Sequence, residues 1–316
     1  MKTLSTNRQA IQSQSLSYRM KRDFMRNKYL YLLFIPVAIY FILFCYKPMY
    51  GVIIAFKHFS AAKGITGSPW AGFENFQRFF GDYHFGRLIK NTFLISLYSI
   101  LWGFPIPIIF ALMLDELRSI RFKKLIQTSS YLPHFISLVV VCSMIKQFSM
   151  TNGLFNDIAV LLGGERTQIL QDAKKFRTVY VASGVWQEFG WNSIIYLAAL
   201  AGVDQELYEA ARIDGAGRWA QVRHVSIPGI ATTIIMLFIL RMGGVLNVGA
   251  QKVLLLYNSA TYSTSDVIST YVYRRGMING EMSFSTAVGL FNSIINVIFL
   301  VSTNYISKKV SDISMF

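Results

Sequence analysis

The sequence predicts an all-α integral membrane domain that crosses the bilayer six times. Hydrophobic residues make up 53% of the 316 positions and charged residues only 15%, a balance far from that of a soluble domain. Six apolar runs occur, at about residues 29–46, 92–114, 131–150, 178–203, 228–248 and 285–306. Each comes close to or exceeds the roughly 20 residues that a helix needs to cross a hydrocarbon core about 30 Å thick. The segments between them are charged, and no repeat or low-complexity tract points to a soluble domain.

Residues 1–28 read as a basic polar tail, part of it an interfacial helix. Arg19, Lys21, Arg22, Arg26 and Lys28 crowd against the first run as they would before a signal sequence. Leu43-Phe44-Cys45-Tyr46 offers no small-residue cleavage site, however, so this run is expected to stay attached as the first span. The second run contains Trp102-Gly103-Phe104-Pro105-Ile106-Pro107, where prolines without backbone donors should kink the helix. Residues 29–309 form one membrane domain and 310–316 a short tail. The dense N-terminal cluster orients the first span with its N-terminus inside, which puts both termini and the 204–227 segment in the cytoplasm. Basic residues on the opposite side are only slightly fewer, so the cluster carries this reading. It also accounts for the net charge of +15 better than nucleic acid does, since no nucleic-acid motif accompanies it.

Energy-converting and catalytic signatures are missing from the sequence. No Gly-x-x-x-x-Gly-Lys-Ser/Thr loop is present to cradle phosphates. His58, His84, His134 and His224 are scattered without ligand spacing, so no metal or cofactor is expected on this chain. Cys45 and Cys142 lie in or beside apolar stretches and read as packing residues. A membrane enzyme would need paired carboxylates or a nucleophile with its base, and none is visible. An ion-coupled secondary transporter of small polar solutes is the remaining rival, disfavoured because no inverted repeat is visible.

The most specific segment lies between the fourth and fifth runs. Glu209-Ala210-Ala211-Arg212-Ile213-Asp214-Gly215-Ala216-Gly217-Arg218-Trp219 is followed by Val225-Ser226-Ile227-Pro228. The pattern reads as a short helix of small residues, a reversal at Gly215 and Gly217, a second short helix, and a proline opening the next span. This stretch resembles the EAA motif of the permeases of binding-protein-dependent ABC importers, with its spacing kept in full. The resemblance runs over about residues 29–309 and is greatest to the MalF-type sugar permeases, in their LplB-like polysaccharide branch. Trp70-Ala71-Gly72-Phe73-Glu74-Asn75-Phe76, Asn91-Thr92, Tyr131-Leu132-Pro133-His134-Phe135-Ile136-Ser137 and Tyr271-Val272-Tyr273-Arg274 carry it in order. Tyr257-Asn258-Ser259-Ala260 departs from the Thr-x-Gly-Gly-Pro of many sugar permeases, and the large outer insertion of the maltose permease is absent.

The resemblance implies a six-helix permease of the type I ABC importer class in a bacterial plasma membrane, forming half of a path for oligosaccharides. It implies a second permease that is a different chain, two ATPase subunits holding ATP and Mg, and an extracytoplasmic solute-binding protein. Glu209, Ala210, Ala211, Asp214, Gly215 and Gly217 would then form the coupling loop that docks on the ATPase.

A sugar path should show polar and aromatic groups inside apolar spans. Gln187, Glu188, Trp191 and Asn192 supply them in the fourth run, beside Trp186 and Tyr196. Two cations, Lys146 and Arg241, lie within or near the ends of spans, where a charge is costly unless it is paired or reaches water. Glu188 is a candidate partner for Arg241, and an acidic sugar such as a uronate is the functional alternative. Asn292 and Asn296 share a face of the sixth run and suit either the path or interhelical hydrogen bonding, with packing favoured.

Overall fold

A computed structural model describes residues 22–311 and 313–315, so the readings of residues 1–21 lie outside the described residues. The described residues are mostly helical, without a strand; their one isolated bridge joins Lys57 and Trp70. In order come α1 (Lys28–Phe56), α2 (Glu74–Phe80), α3 (Phe85–Asp115) and α4 (Ile120–Phe135). They are followed by α5 (Leu138–Phe148), α6 (Leu154–Leu161), α7 (Ala173–Ala201) and α8 (Gln205–Ile213). The last are α9 (Arg218–Gly229), α10 (Ala231–Met242), α11 (Ala250–Leu256), α12 (Ile268–Tyr273) and α13 (Met282–Ser311).

Among the described residues three helices, α1, α3 and α13, are long and apolar enough to cross a membrane, and up to five crossings result if each of two bent pairs counts as one. The pairs are α4 with α5, bent by 97°, and α9 with α10, bent by 60°. At 29 residues α7 is also long enough to span, at about 1.5 Å per residue. Lys174, Lys175, Arg177 and Glu188 make it less apolar than the others.

The bends interrupt two of the predicted runs. In the third run, Ile136 and Ser137 are extended (ψ 130° and 145°), which breaks the helix after the Pro133 turn. Ser137 then caps α5, its Oγ accepting from the Val140 N–H at 3.4 Å. In the fifth, Pro228 does not open the span. It lies in the last turn of α9, just before the bend at Ile230 (φ −103°, ψ 7°). In the second run, Phe104 interrupts α3 and Pro105 starts its second half, where a proline needs no donor.

The centre of the fold is α7, which packs along both halves of α3 and against α4. Near its C-terminal end Tyr196, Leu200 and Val203 bury with Ala111, Tyr208 and Ile230. Nearer its other end Phe176, Tyr180 and Val181 bury with Ile95, Val141, Val253 and Val267. None of the apolar residues in the first two thirds of α1 is buried, and this helix meets α13 through Tyr50–Phe56. Such an all-apolar exposed surface is stable only in lipid or against another subunit.

Candidate functional site

At one end of the bundle, α8 and α9 form a protruding helical hairpin. Asp204 starts α8, its carboxylate accepting from the Glu206 N–H at 3.0 Å. The helix ends in a left-handed reversal at Gly215 (φ +78°). There the Gly215 N–H donates to Arg212 O at 3.0 Å and the Ala216 N–H to Ala211 O at 2.8 Å, which satisfies two terminal carbonyls. Gly217, also read as part of the reversal, has an ordinary backbone (φ −69°, ψ 170°). Only Gly215 therefore needs to be glycine for conformational reasons.

The hairpin is anchored from below. Tyr208 Oη and Ser226 Oγ are buried 3.0 Å apart, Gln221 Nε2 donates to Ala216 O at 2.8 Å, and Arg218 approaches Glu116 at 3.9 Å. Above these anchors Glu209, Ala210, Asp214, Gly215 and Gly217 are exposed and Ala211 is half-buried. Ile213 and Trp219 are 86% and 85% exposed. The hairpin thus leaves two large apolar side chains exposed at its tip.

The opposite end is held by an ionic network. Arg274 makes two 2.8 Å hydrogen bonds to the buried Asp266, with Arg87 at 3.6 Å and Thr270 Oγ1 at 2.9 Å. Asn91 donates to the Ser263 and Asp266 carbonyls and accepts from Arg177 at 2.7 Å, while Thr92 Oγ1 caps α12 at the Ile268 N–H. These bonds fasten residues 263–268 and the start of α12 to α3. Burial alone would raise the Asp82 carboxyl, but hydrogen bonds from Tyr271 Oη, the His84 N–H and the His84 ring hold it below the usual range. Asn75, from the tryptophan-led motif, donates to Ala55 O at 2.9 Å and so closes the end of α1.

Inside the bundle the residues read as path-lining divide into two groups. Gln187 is buried and donates to Ile136 O at 3.1 Å, satisfying the carbonyl exposed by the break between α4 and α5. Trp191 stacks on the His134 ring at 4.4 Å with 1° between planes, and Phe135 meets it edge-on. Glu188 pairs with His134 at 2.9 Å and not with Arg241, which corrects that expectation. His134 stands in one of the motifs quoted above, but its contacts with Glu188 and Trp191 depend on a bend that brings α4 back onto α7. Asn192 is exposed.

The second group surrounds a cavity of about 90 Å³ between α3, α7 and the segment after α10. Arg241 lines it, together with Ser96, Ser99, Tyr180 and Asn247. Asn292 and Asn296 stand behind the wall, both donating to Asn247 Oδ1 at 3.1 and 2.9 Å, and Asn296 Oδ1 accepts from the Leu246 N–H at 2.9 Å. Their interhelical role holds the unwound segment in place. Lys146 is exposed in the last turn of α5, where its charge complements the helix dipole.

Residues 92–312 match the family of binding-protein-dependent transport system inner membrane components. The chain belongs to that family. It is thus a multi-pass permease subunit of an importer and not an enzyme. Protein LplB of Bacillus subtilis (strain 168) is 45% identical over 292 residues, covering 92% of each chain. The polygalacturonan/rhamnogalacturonan transport system permease protein YteP of the same organism is 42% identical, over 90% of this permease and 89% of that one. A chain in the crystal structure of a bacterial ABC transporter involved in the import of the acidic polysaccharide alginate superimposes with a TM-score of 0.85. It is 39% identical, over 93% of this permease and 99% of that chain. A chain of a bacterial alginate ABC transporter in complex with alginate pentasaccharide-bound periplasmic protein gives a TM-score of 0.86 at 38% identity, over 94% and 100% of the two chains.

Proposed function

We propose that this permease is one membrane-spanning half of an ATP-driven importer that carries acidic, polysaccharide-derived oligosaccharides. In this reading a different permease chain completes the path, an extracytoplasmic binding protein delivers the sugar, and two ATPase subunits hold ATP and Mg. No cofactor is assigned to this chain. The observation that carries the reading is the hairpin at Gly215, which presents Glu209, Ile213 and Trp219 with no partner for them among the described residues. A secondary transporter would have no use for such a docking element. Similarity over nine-tenths of the chain to permeases of acidic-polysaccharide importers supports the substrate class.

The proposed topology has six crossings, with α7 as one and each bent pair as another. Both termini and residues 204–227 face the cytoplasm, residues 29–309 form the membrane domain, and 1–28 and 310–316 are tails. Labelling tests it: in a background lacking Cys45 and Cys142, Ala216→Cys is expected to react with a membrane-impermeant maleimide only after the membrane is opened. Reaction from outside intact cells would reverse the orientation and remove the docking role.

The function itself is tested in liposomes holding the complete complex. Uptake of labelled acidic oligosaccharide is expected to need ATP inside and binding protein outside, and to survive collapse of the ion gradients. Uptake that follows the ion gradient without ATP would establish the secondary-transport alternative.

A further inference from the structure

The turn between α3 and α4 opens onto a surface where cations and large apolar side chains are interleaved. From Arg118 to Leu125 four residues are cations, three are large and apolar, and only Ser119 is neither. Ser119 caps α4, its Oγ accepting from the Phe122 N–H at 3.4 Å, so the side chains that follow are held in helical register. At about 100° per residue, Ile120, Lys124, Arg121, Leu125 and Phe122 succeed one another around one side. That side is uncovered: Ile120, Phe122 and Leu125 are 71%, 51% and 62% exposed, and Arg118, Arg121 and Lys124 are exposed with them.

The two acids that precede this surface are already engaged. Asp115 faces Lys123 at 3.5 Å, and Glu116 approaches Arg218 at 3.9 Å. Arg118, Arg121 and Lys124 have no ion-pair partner among the described residues, and α4 carries no acidic residue in its first turn.

Its place relative to the membrane follows from the neighbouring segments. α3 is apolar up to Leu114, and Gln127, Thr128, Ser129 and Ser130 follow the surface along α4. Arg118 to Leu125 therefore lies at the edge of the hydrocarbon, where basic side chains run their stems along acyl chains and reach phosphates with their heads. The ATPase is the competing occupant, because Glu116 and Arg218 put this surface beside the base of the hairpin. A soluble subunit would meet the hairpin at its exposed tip, at Ile213 and Trp219, beyond the membrane surface. Unpaired cations set among three apolar side chains at the level where α3 ends match an acidic lipid surface instead.

We propose that the start of α4 is a binding surface for acidic phospholipid, in which Arg118, Arg121 and Lys124 hold headgroup phosphates and Ile120, Phe122 and Leu125 sit among the acyl chains. The transport reading above does not call for it; only the leaflet, the cytoplasmic one, rests on the proposed orientation.

The test takes the complete complex from micelles holding equal amounts of phosphatidylglycerol and phosphatidylcholine, and measures the lipids and subunits it retains by native mass spectrometry. Wild type is expected to retain phosphatidylglycerol about tenfold over phosphatidylcholine. The triple variant Arg118→Gln, Arg121→Gln, Lys124→Gln should lose that preference, and each single change should weaken it about fivefold, the usual worth of one basic side chain at an anionic surface. Lys174→Gln, at the start of α7 and the other end of the bundle, should keep it. If the triple variant fails to assemble, the three single variants decide, since each replaces one exposed side chain. A wild-type complex without the preference, or assembled variants that keep it within twofold, would overturn the lipid surface. Loss of ATPase subunits with phosphatidylglycerol still retained would also overturn it and give the surface to the ATPase. Retained lipid is counted without any sugar, so the outcome is independent of the substrate reading.

Discussion

Gly215→Val is expected to leave the permease inserted in the membrane and to lower sugar uptake at least tenfold, with fewer ATPase subunits co-purifying. The residue sits at φ +78°, and an added Cβ there would meet nothing within 4 Å. The penalty is therefore conformational and not a clash. A β-branched residue in the left-handed region costs at least about 1–2 kcal/mol, and the exposed hairpin can escape by abandoning that backbone. Doing so breaks the bonds from Gly215 to Arg212 and from Ala216 to Ala211, and it re-aims Ile213 and Trp219. Asparagine tolerates the same region, so Gly215→Asn should keep most of the uptake. Gly217→Ala is the control for geometry, since its φ of −69° suits any residue and its surroundings are open. Wild-type uptake and ATPase retention in Gly215→Val would mean that the hairpin does not couple the two subunits.

Much of the architecture was legible because hydrophobic runs report lipid directly. Helix existence followed from the apolar stretches, and the reversal at Gly215 followed from glycine spacing. Bends were not legible. The run 131–150 reads as one largely apolar stretch, and its hydropathy does not state that Ile136 and Ser137 take extended backbone; Pro133 and the Ser137 cap were the available signals. For the same reason the contacts of His134 were not legible, since only the bend sets it on Trp191 and Glu188. Pairing Arg241 with Glu188 failed because opposite charge in two spans says nothing about which helix faces lie together.

Gly190 shows how a single contact ties these features together, and Gly190→Ala is expected to be the most disruptive small substitution in the bundle. A glycine inside a helix costs roughly 0.5–1 kcal/mol relative to alanine, so one at the middle of α7 calls for a packing reason. The reason is α4. A Cβ at position 190 would overlap the Ser130 carbonyl oxygen, lying 2.5 Å from its carbon and 2.9 Å from its Cβ. Backbone cannot rotate out of the way as a side chain does, so α4 must move away from α7. That movement would pull Ile136 O from Gln187, and His134 from both Glu188 and Trp191, which are all made across the same interface. Overpacking of this kind costs about 1–3 kcal/mol before the lost hydrogen bonds are added. The solubilised complex of Gly190→Ala should therefore unfold at a clearly lower temperature than wild type and show little uptake. Gly289→Ala, on the long helix α13 with nothing within 4 Å of the added carbon, should match or exceed wild-type stability. Equal thermal stability of the two variants would show that α4 and α7 are not held as closely as Gly190 allows, and that the stacking of His134 on Trp191 is set by some other contact.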